Sequence, residues 1–107
     1  MFIPEISPQD LKAELEGPTP PTILDVREPY ELEISALPDV IHIPMNELPG
    51  RLIELNPQDN IVVICRVGGR SRNVTSFLLG QGFTKVRNLA TGLNGWADTV
   101  DPAMSKY

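Results

Sequence analysis

Five consecutive apolar residues, Ile61-Val62-Val63-Ile64-Cys65, run directly into Arg66-Val67-Gly68-Gly69-Arg70-Ser71, and this junction constrains the chain more than any other stretch. Four of the five are β-branched and none is polar, so the run reads as a strand covered on both faces, as in a parallel sheet. It is far shorter than the roughly 20 apolar residues that cross a bilayer, so no membrane association is expected. The two glycines permit the tight or left-handed backbone needed to turn the chain into a helix. Asn73-Val74-Thr75-Ser76-Phe77-Leu78-Leu79 has the spacing of that helix, predicted to open near Ser71 and to end near Gly80 or Gly82.

The same alternation extends in both directions. Ser7-Pro8-Gln9-Asp10 is a helix start, with a serine cap, proline at the first helical position and an acid in the first turn. Leu11 and Leu15 form its apolar stripe until Gly17-Pro18-Thr19-Pro20-Pro21 ends it. Strands are predicted at 22–26, 40–43 and 86–89, a short helix at 28–34 and a helical turn or two within 47–55. Thr91-Gly92-Leu93-Asn94-Gly95 reads as a turn, with Trp96 opening a last helix before Asp101-Pro102. Strands alternating with helices predict a small α/β domain whose largely parallel sheet has helices on both faces. With 107 residues there is one modest core, so residues 1–107 are expected to form a single domain.

The net charge is -5, which argues against a nucleic-acid partner, and the charge is unevenly distributed. All 14 acidic residues lie outside 60–97, which holds Arg66, Arg70, Arg72, Lys85 and Arg87 and therefore carries +5. With four basic and 14 acidic residues, the remainder carries -10. Either an anion site sits in an acidic body, or several arginines decorate a solvated helix. The first cation is Lys12 and no long apolar segment precedes it, so no secretory leader is visible and a cytoplasmic protein is expected. One cysteine and one histidine make neither an internal disulfide nor a four-ligand zinc site without carboxylates, so no metal is expected.

Cys65 lies where ligands bind in open parallel sheets, beyond the carboxyl end of a strand and before a helix. Loop N–H groups, the helix dipole and the guanidinium groups of Arg66 and Arg70 would all favour thiolate over thiol, and thiolate is the nucleophile. The plain alternative is a small buried hydrophobe at a strand end. Two chemistries use such a loop: phosphoryl transfer by a cysteine phosphatase and sulfur transfer through a persulfide. The phosphatase spacing needs arginine at position 71, where this chain has Ser71; its arginines stand at 70 and 72.

The chain resembles the rhodanese family of sulfurtransferases. Cys65-Arg66-Val67-Gly68-Gly69-Arg70-Ser71 matches that family's active-site loop. Ile23-Leu24-Asp25-Val26-Arg27-Glu28-Pro29-Tyr30-Glu31 is similar to its first motif, and Asn88-Leu89 with Gly92 and Trp96 to its last. One segment departs: where the family usually has His-Ile-Pro-Gly-Ala, this chain has Ala36-Leu37-Pro38-Asp39-Val40, although Ile43-Pro44 is intact. That departure and the ending through Lys106-Tyr107 are similar to rhodanese domains appended to enzymes that activate ubiquitin-like sulfur carriers. The resemblance implies a five-stranded rhodanese-like fold, Cys65 as nucleophile and no cofactor beyond a covalent persulfide. It also implies that Arg66, Val67, Gly68, Gly69, Arg70 and Ser71 bind the substrate. The implied partners are a small anionic sulfur donor such as thiosulfate, and an acceptor such as cyanide, a thiol or a sulfur-carrier protein.

Asp25 and Arg27 follow a strand and are expected to brace neighbouring loops rather than to react. His42 is expected to be a satisfied structural histidine, and Trp96 a wall of the core or of a cleft. Arg72, Lys85 and Arg87 form either a rim for an acidic partner or a solvated face. Two other readings remain: a docking module that retains the fold without catalysis, and a cysteine phosphatase or arsenate reductase. A reductase would normally use a resolving cysteine, which this chain lacks.

Overall fold

The computed structural model of the protein describes residues 2–107. Its elements run β1 (Glu5–Ile6), α1 (Pro8–Leu15), β2 (Thr22–Asp25), α2 (Pro29–Ile34), β3 (Ile41–His42), α3 (Leu48–Arg51), β4 (Ile61–Ile64), α4 (Gly69–Gly80), β5 (Val86–Leu89) and α5 (Gly92–Thr99). The strands form one all-parallel sheet in the order β1-β5-β4-β2-β3. β4 is central, as its unbroken apolar run requires. Its side chains alternate between two layers. Ile61, Val63 and Cys65 pack with Val74 and Leu78 of α4 and with Leu48 of α3. Val62 and Ile64 pack with Leu11 of α1 and with Leu93 and Trp96 of α5. Leu11 and Leu78 have no exposed surface, and burying a leucine stabilises by roughly 1.5–3 kcal/mol, so each holds its helix against the sheet.

Local chemistry sets the helix starts. The Ser7 hydroxyl accepts the Asp10 N–H at 3.1 Å, with Pro8 at the first helical position. At α2 the Glu31 carboxylate accepts the Glu28 N–H at 2.8 Å, as in a capping box, with Pro29 at the first helical position.

Several elements differ from the expectation. β1 has two residues, too few to show a period. It is held by pairing to β5, where the Asn88 N–H reaches the Pro4 carbonyl at 2.8 Å and the Ala90 N–H reaches that of Ile6 at 2.9 Å. The strand expected at 40–43 shortens to Ile41–His42, and 45–54 forms α3 flanked by single 3-10 turns. Helix α4 begins already at Gly69. Helix α5 begins at Gly92, so Trp96 lies in its second turn and the expected turn is its first. Its N–H groups find acceptors outside the helix: Leu93 donates to the Cys65 carbonyl at 2.9 Å and Asn94 to that of Arg66 at 3.0 Å. No helix among the described residues is long and apolar enough to cross a membrane.

Gly92 is required twice. Its φ is 62°, and a Cβ there would overlap the Arg66 carbonyl. Gly80, the last residue of α4, would meet nothing within 4 Å. Gly92→Ala is therefore expected to cost more than about 1 kcal/mol, and Gly80→Ala to be neutral or to stabilise by up to about 1 kcal/mol. Paired thermal melts followed by circular dichroism check both signs.

Candidate active site

The sheet register brings the carboxyl ends of the strands together, with Asp25 beside both Ile64 and His42 and Asn88 beside Val63. Cys65 is the next residue along β4. Its Sγ lies at the bottom of the loop, with the residue 1% exposed. Two N–H donors converge on it, that of Gly68 at 3.1 Å and that of Ser71 at 3.3 Å, and the Ser71 hydroxyl oxygen lies 3.2 Å away. The loop can curl this way because Gly68, the N-cap of α4, takes φ 101°, a left-handed backbone that favours glycine. The N–H groups of Gly69 and Arg70, first in α4, bond no acceptor among the described residues and lie at the positive end of a twelve-residue helix.

The loop is pinned from two sides. On one side α5 holds the Cys65 and Arg66 carbonyls. There Asn88 of β5 also accepts the Ser71 hydroxyl and donates to the Gly68 carbonyl at 3.3 Å and to Glu5 at 2.9 Å. On the other side Arg70 grips Glu31 of α2 through two bonds, of 2.7 and 2.8 Å. The Arg70 hydrogen bonds, outweighing the penalty of burial, pull the Glu31 carboxyl down to about 2. Arg70 is raised by the same pair.

Behind Glu31 is a buried brace. Arg27 has no exposed surface. Its Nε bonds both Asp25 oxygens at 3.0 and 3.1 Å, and Nη2 bonds Asp25 and the Ser35 carbonyl, each at 2.8 Å. Its Nη1 reaches the Glu31 carbonyl at 3.3 Å and the Tyr107 hydroxyl at 2.9 Å. Burial opposes the Arg27 charge, but the bonds to Asp25 and Tyr107 outweigh it and the group is raised. Tyr107 donates in turn to Glu31 at 2.8 Å, and its ring lies under the Arg66 guanidinium, 4.9 Å from Cζ to the ring centroid. His42 Nε2 lies 2.7 Å from the Arg27 carbonyl oxygen.

All seven residues from Cys65 to Ser71 therefore form one loop around Sγ. Asp25 and Arg27 stand behind it: Asp25 holds Arg27, and Arg27 bonds α2 and Tyr107 rather than Cys65. Position 71, where a phosphatase would need arginine, is filled by a hydroxyl directed at Sγ and Asn88. Arg87 is paired with Glu14 of α1 in two 2.8 Å bonds. Arg72 is in the first turn of α4, 3.7 Å from Glu5, and Lys85 lies just before β5, at the opposite end of the sheet. These three do not form one rim. Trp96 serves both expected roles, as core and as one wall of a cleft of about 430 Å³ near α1, which no loop residue lines.

Glu31, Asn88 and Tyr107 stand in the segments the sequence reading singled out, but it gives them no role at the site. Asn88, a polar residue inside the apolar run of β5, was a usable signal. So was the i, i+3 spacing of Glu28 and Glu31, although it says nothing of Arg70. Nothing nearby in the sequence marks Tyr107.

Residues 7–99 match the family model described as Rhodanese-like domain. The chain belongs to the rhodanese family. The putative sulfur carrier protein YrkF of Bacillus subtilis is 42% identical over 99 residues, 92% of this chain and 54% of that protein. The putative sulfurtransferase YtwF of the same bacterium is 36% identical over 102 residues, covering 95% of this chain and 98% of YtwF. The adenylyltransferase and sulfurtransferase UBA4 of Candida albicans is 29% identical, with 95% of this chain matching 25% of its length. This rhodanese chain thus spans about half of the first relative and a quarter of the last. The crystal structure of a rhodanese-like domain protein from Staphylococcus aureus has a TM-score of 0.85 at 27% identity, covering 98% of this chain and 99% of that one. The five-stranded α/β architecture is therefore that of rhodanese-like domains. Among the described residues of this member, no cluster of His, Cys, Asp and Glu is placed to hold a metal ion.

The Glu31–Arg70 pair makes stability depend on pH. Glu31 is held to about 2 in the fold against 4.5 unperturbed, so its contribution is complete above about pH 4.5 and is lost as pH falls through about 2. The size is at most about 3 kcal/mol. Glu31→Gln is expected to be less stable near neutral pH, with the difference from the parent shrinking between pH 4.5 and 2. Urea unfolding across that range measures it.

Proposed function

We propose that this rhodanese-family protein is a sulfurtransferase that carries sulfur as a persulfide on Cys65. One observation carries this reading: a lone thiol at the bottom of a loop, receiving two backbone N–H groups at the amino end of α4. In the first step the Cys65 thiolate attacks the outer sulfur of an anionic donor such as thiosulfate. A Cys65 S–S bond forms, the donor's S–S bond breaks, and sulfite leaves with the electron pair. The outer sulfur then carries the negative charge. The N–H groups of Gly69 and Arg70 are free to receive it, as donors preorganised for an anion do in an oxyanion hole. In the second step a nucleophile removes that sulfur and restores the thiolate; cyanide would give thiocyanate. Proton, charge and sulfur balance with neither metal nor organic cofactor.

Arg70 contributes to the cup mainly through its backbone, since its charge is balanced by Glu31. Arg66 is then the guanidinium that meets the donor. The loop itself carries apolar surface, Val67 being 60% exposed, and the segments that follow β2 and β3 expose Tyr30 and Met45. Such a surface suits a thiol or a protein acceptor better than an ion alone. The naming of one relative as a sulfur carrier and of another as an adenylyltransferase and sulfurtransferase supports a sulfur-carrier protein among the acceptors. The reading takes residues 1–107 as one working domain in the cytoplasm.

Intact-mass spectrometry after incubation with thiosulfate tests it. The expected result is the gain of one sulfur atom, removed by cyanide and absent from Cys65→Ser. If neither thiosulfate nor a persulfide donor adds sulfur, the reading fails.

A further inference from the structure

Four cations lie in or next to the Cys65 loop and brace, and three of them face carboxylates. Arg27 is clamped by Asp25, Arg70 by Glu31, and Arg72 approaches Glu5. Arg66 is different: among the described residues its guanidinium has no carboxylate partner and lies instead over the Tyr107 ring. The distinction is chemical. A carboxylate fixes an arginine by cancelling its charge and occupying its donors, whereas an aromatic face fixes the guanidinium plane and leaves charge and N–H groups available. The ring is itself held, because the Tyr107 hydroxyl accepts from Arg27 and donates to Glu31, two residues of the rigid brace. The Arg66 main chain is anchored too, through its carbonyl to Asn94.

We propose that Tyr107 is the positioning residue that holds Arg66 beside Cys65 as an un-neutralised cation, and so sets the preference for anionic sulfur donors. The inference rests on the sulfurtransferase reading for its substrate, so its first test needs no sulfur transfer. The rates at which iodoacetate and iodoacetamide alkylate Cys65 differ by the charge of the reagent, and their ratio reports the cation at the mouth. Tyr107→Phe keeps the ring. Pentafluorophenylalanine at position 107 keeps its size while removing the negative ring face, so the two variants compare at matched packing.

The expected result is a ratio lowered roughly two- to fivefold by the fluorinated ring relative to Tyr107→Phe, both lacking the hydroxyl, the worth of an exposed cation–π contact. In an Arg66→Ala background the two rings should give the same ratio. KM for thiosulfate should rise by the same factor in the fluorinated variant with kcat held. An unchanged ratio, or a fluorinated-ring effect that persists without Arg66, overturns the proposal. So does a fall in kcat at constant KM. If the alkylation ratio responds as expected while the parent protein acquires no sulfur, the positioning of Arg66 stands and the sulfurtransferase reading falls.

Discussion

A guanidinium without exposed surface has to bond every donor it has, and for Arg27 this requirement organises the carboxyl end of the sheet. Its five N–H groups end on Asp25, Ser35, Glu31 and Tyr107. Those acceptors come from the end of β2, from α2 and its C-cap, and from residue 107. None could move away without leaving a buried charge partly unpaired, a loss of about 3–5 kcal/mol for Asp25 and of about 1–3 kcal/mol for each neutral acceptor. The orientation of α2 follows, and with it the position of the Glu31 carboxylate that takes Arg70. A residue that makes no bond to Cys65 thus determines where one end of the Cys65 loop lies.

The other end of the loop is determined by helix-terminus physics. The first N–H groups of a helix need acceptors, and α5 takes them from Cys65 and Arg66. The amino end of α4 makes the complementary use of its own N–H groups, aiming them at Sγ. One helix therefore fixes the loop by its carbonyls while the next supplies the electrostatic environment. Donors held before charge arrives cost no reorganisation when it does, which is what an anionic sulfur requires.

This division of labour explains what was legible in the sequence. The apolar run of β4, the glycines after it and the cap at Ser7 are local signals, and they located the central strand, the loop and α1. The first turn of α5 was not legible, because Thr91-Gly92 has the residue types of a turn and becomes helical only by donating to the loop. β1 was not legible either, since two residues have no period and their pairing partner is on β5. At the site, Cys65 and the loop could be read from residue types alone. Glu31 and Tyr107 could not: one partner of Glu31 is 39 positions away and that of Tyr107 is 80 positions away, and no local pattern encodes such contacts.

The uneven charge along the chain takes on a different meaning in three dimensions. Bases between residues 60 and 97 meet acids that come earlier: Arg70 with Glu31, Arg87 with Glu14, Arg72 near Glu5. The segregation is thus mostly a set of long-range ties between the two halves of the chain, not a basic patch. A cation used as a tie has little attraction left for a substrate. Lys85 is exposed at the far end of β5, which leaves Arg66, among the described residues, as the guanidinium next to Cys65 without a carboxylate partner. Pairing elsewhere therefore concentrates the remaining positive charge at the Cys65 loop, where an anionic donor is proposed to enter.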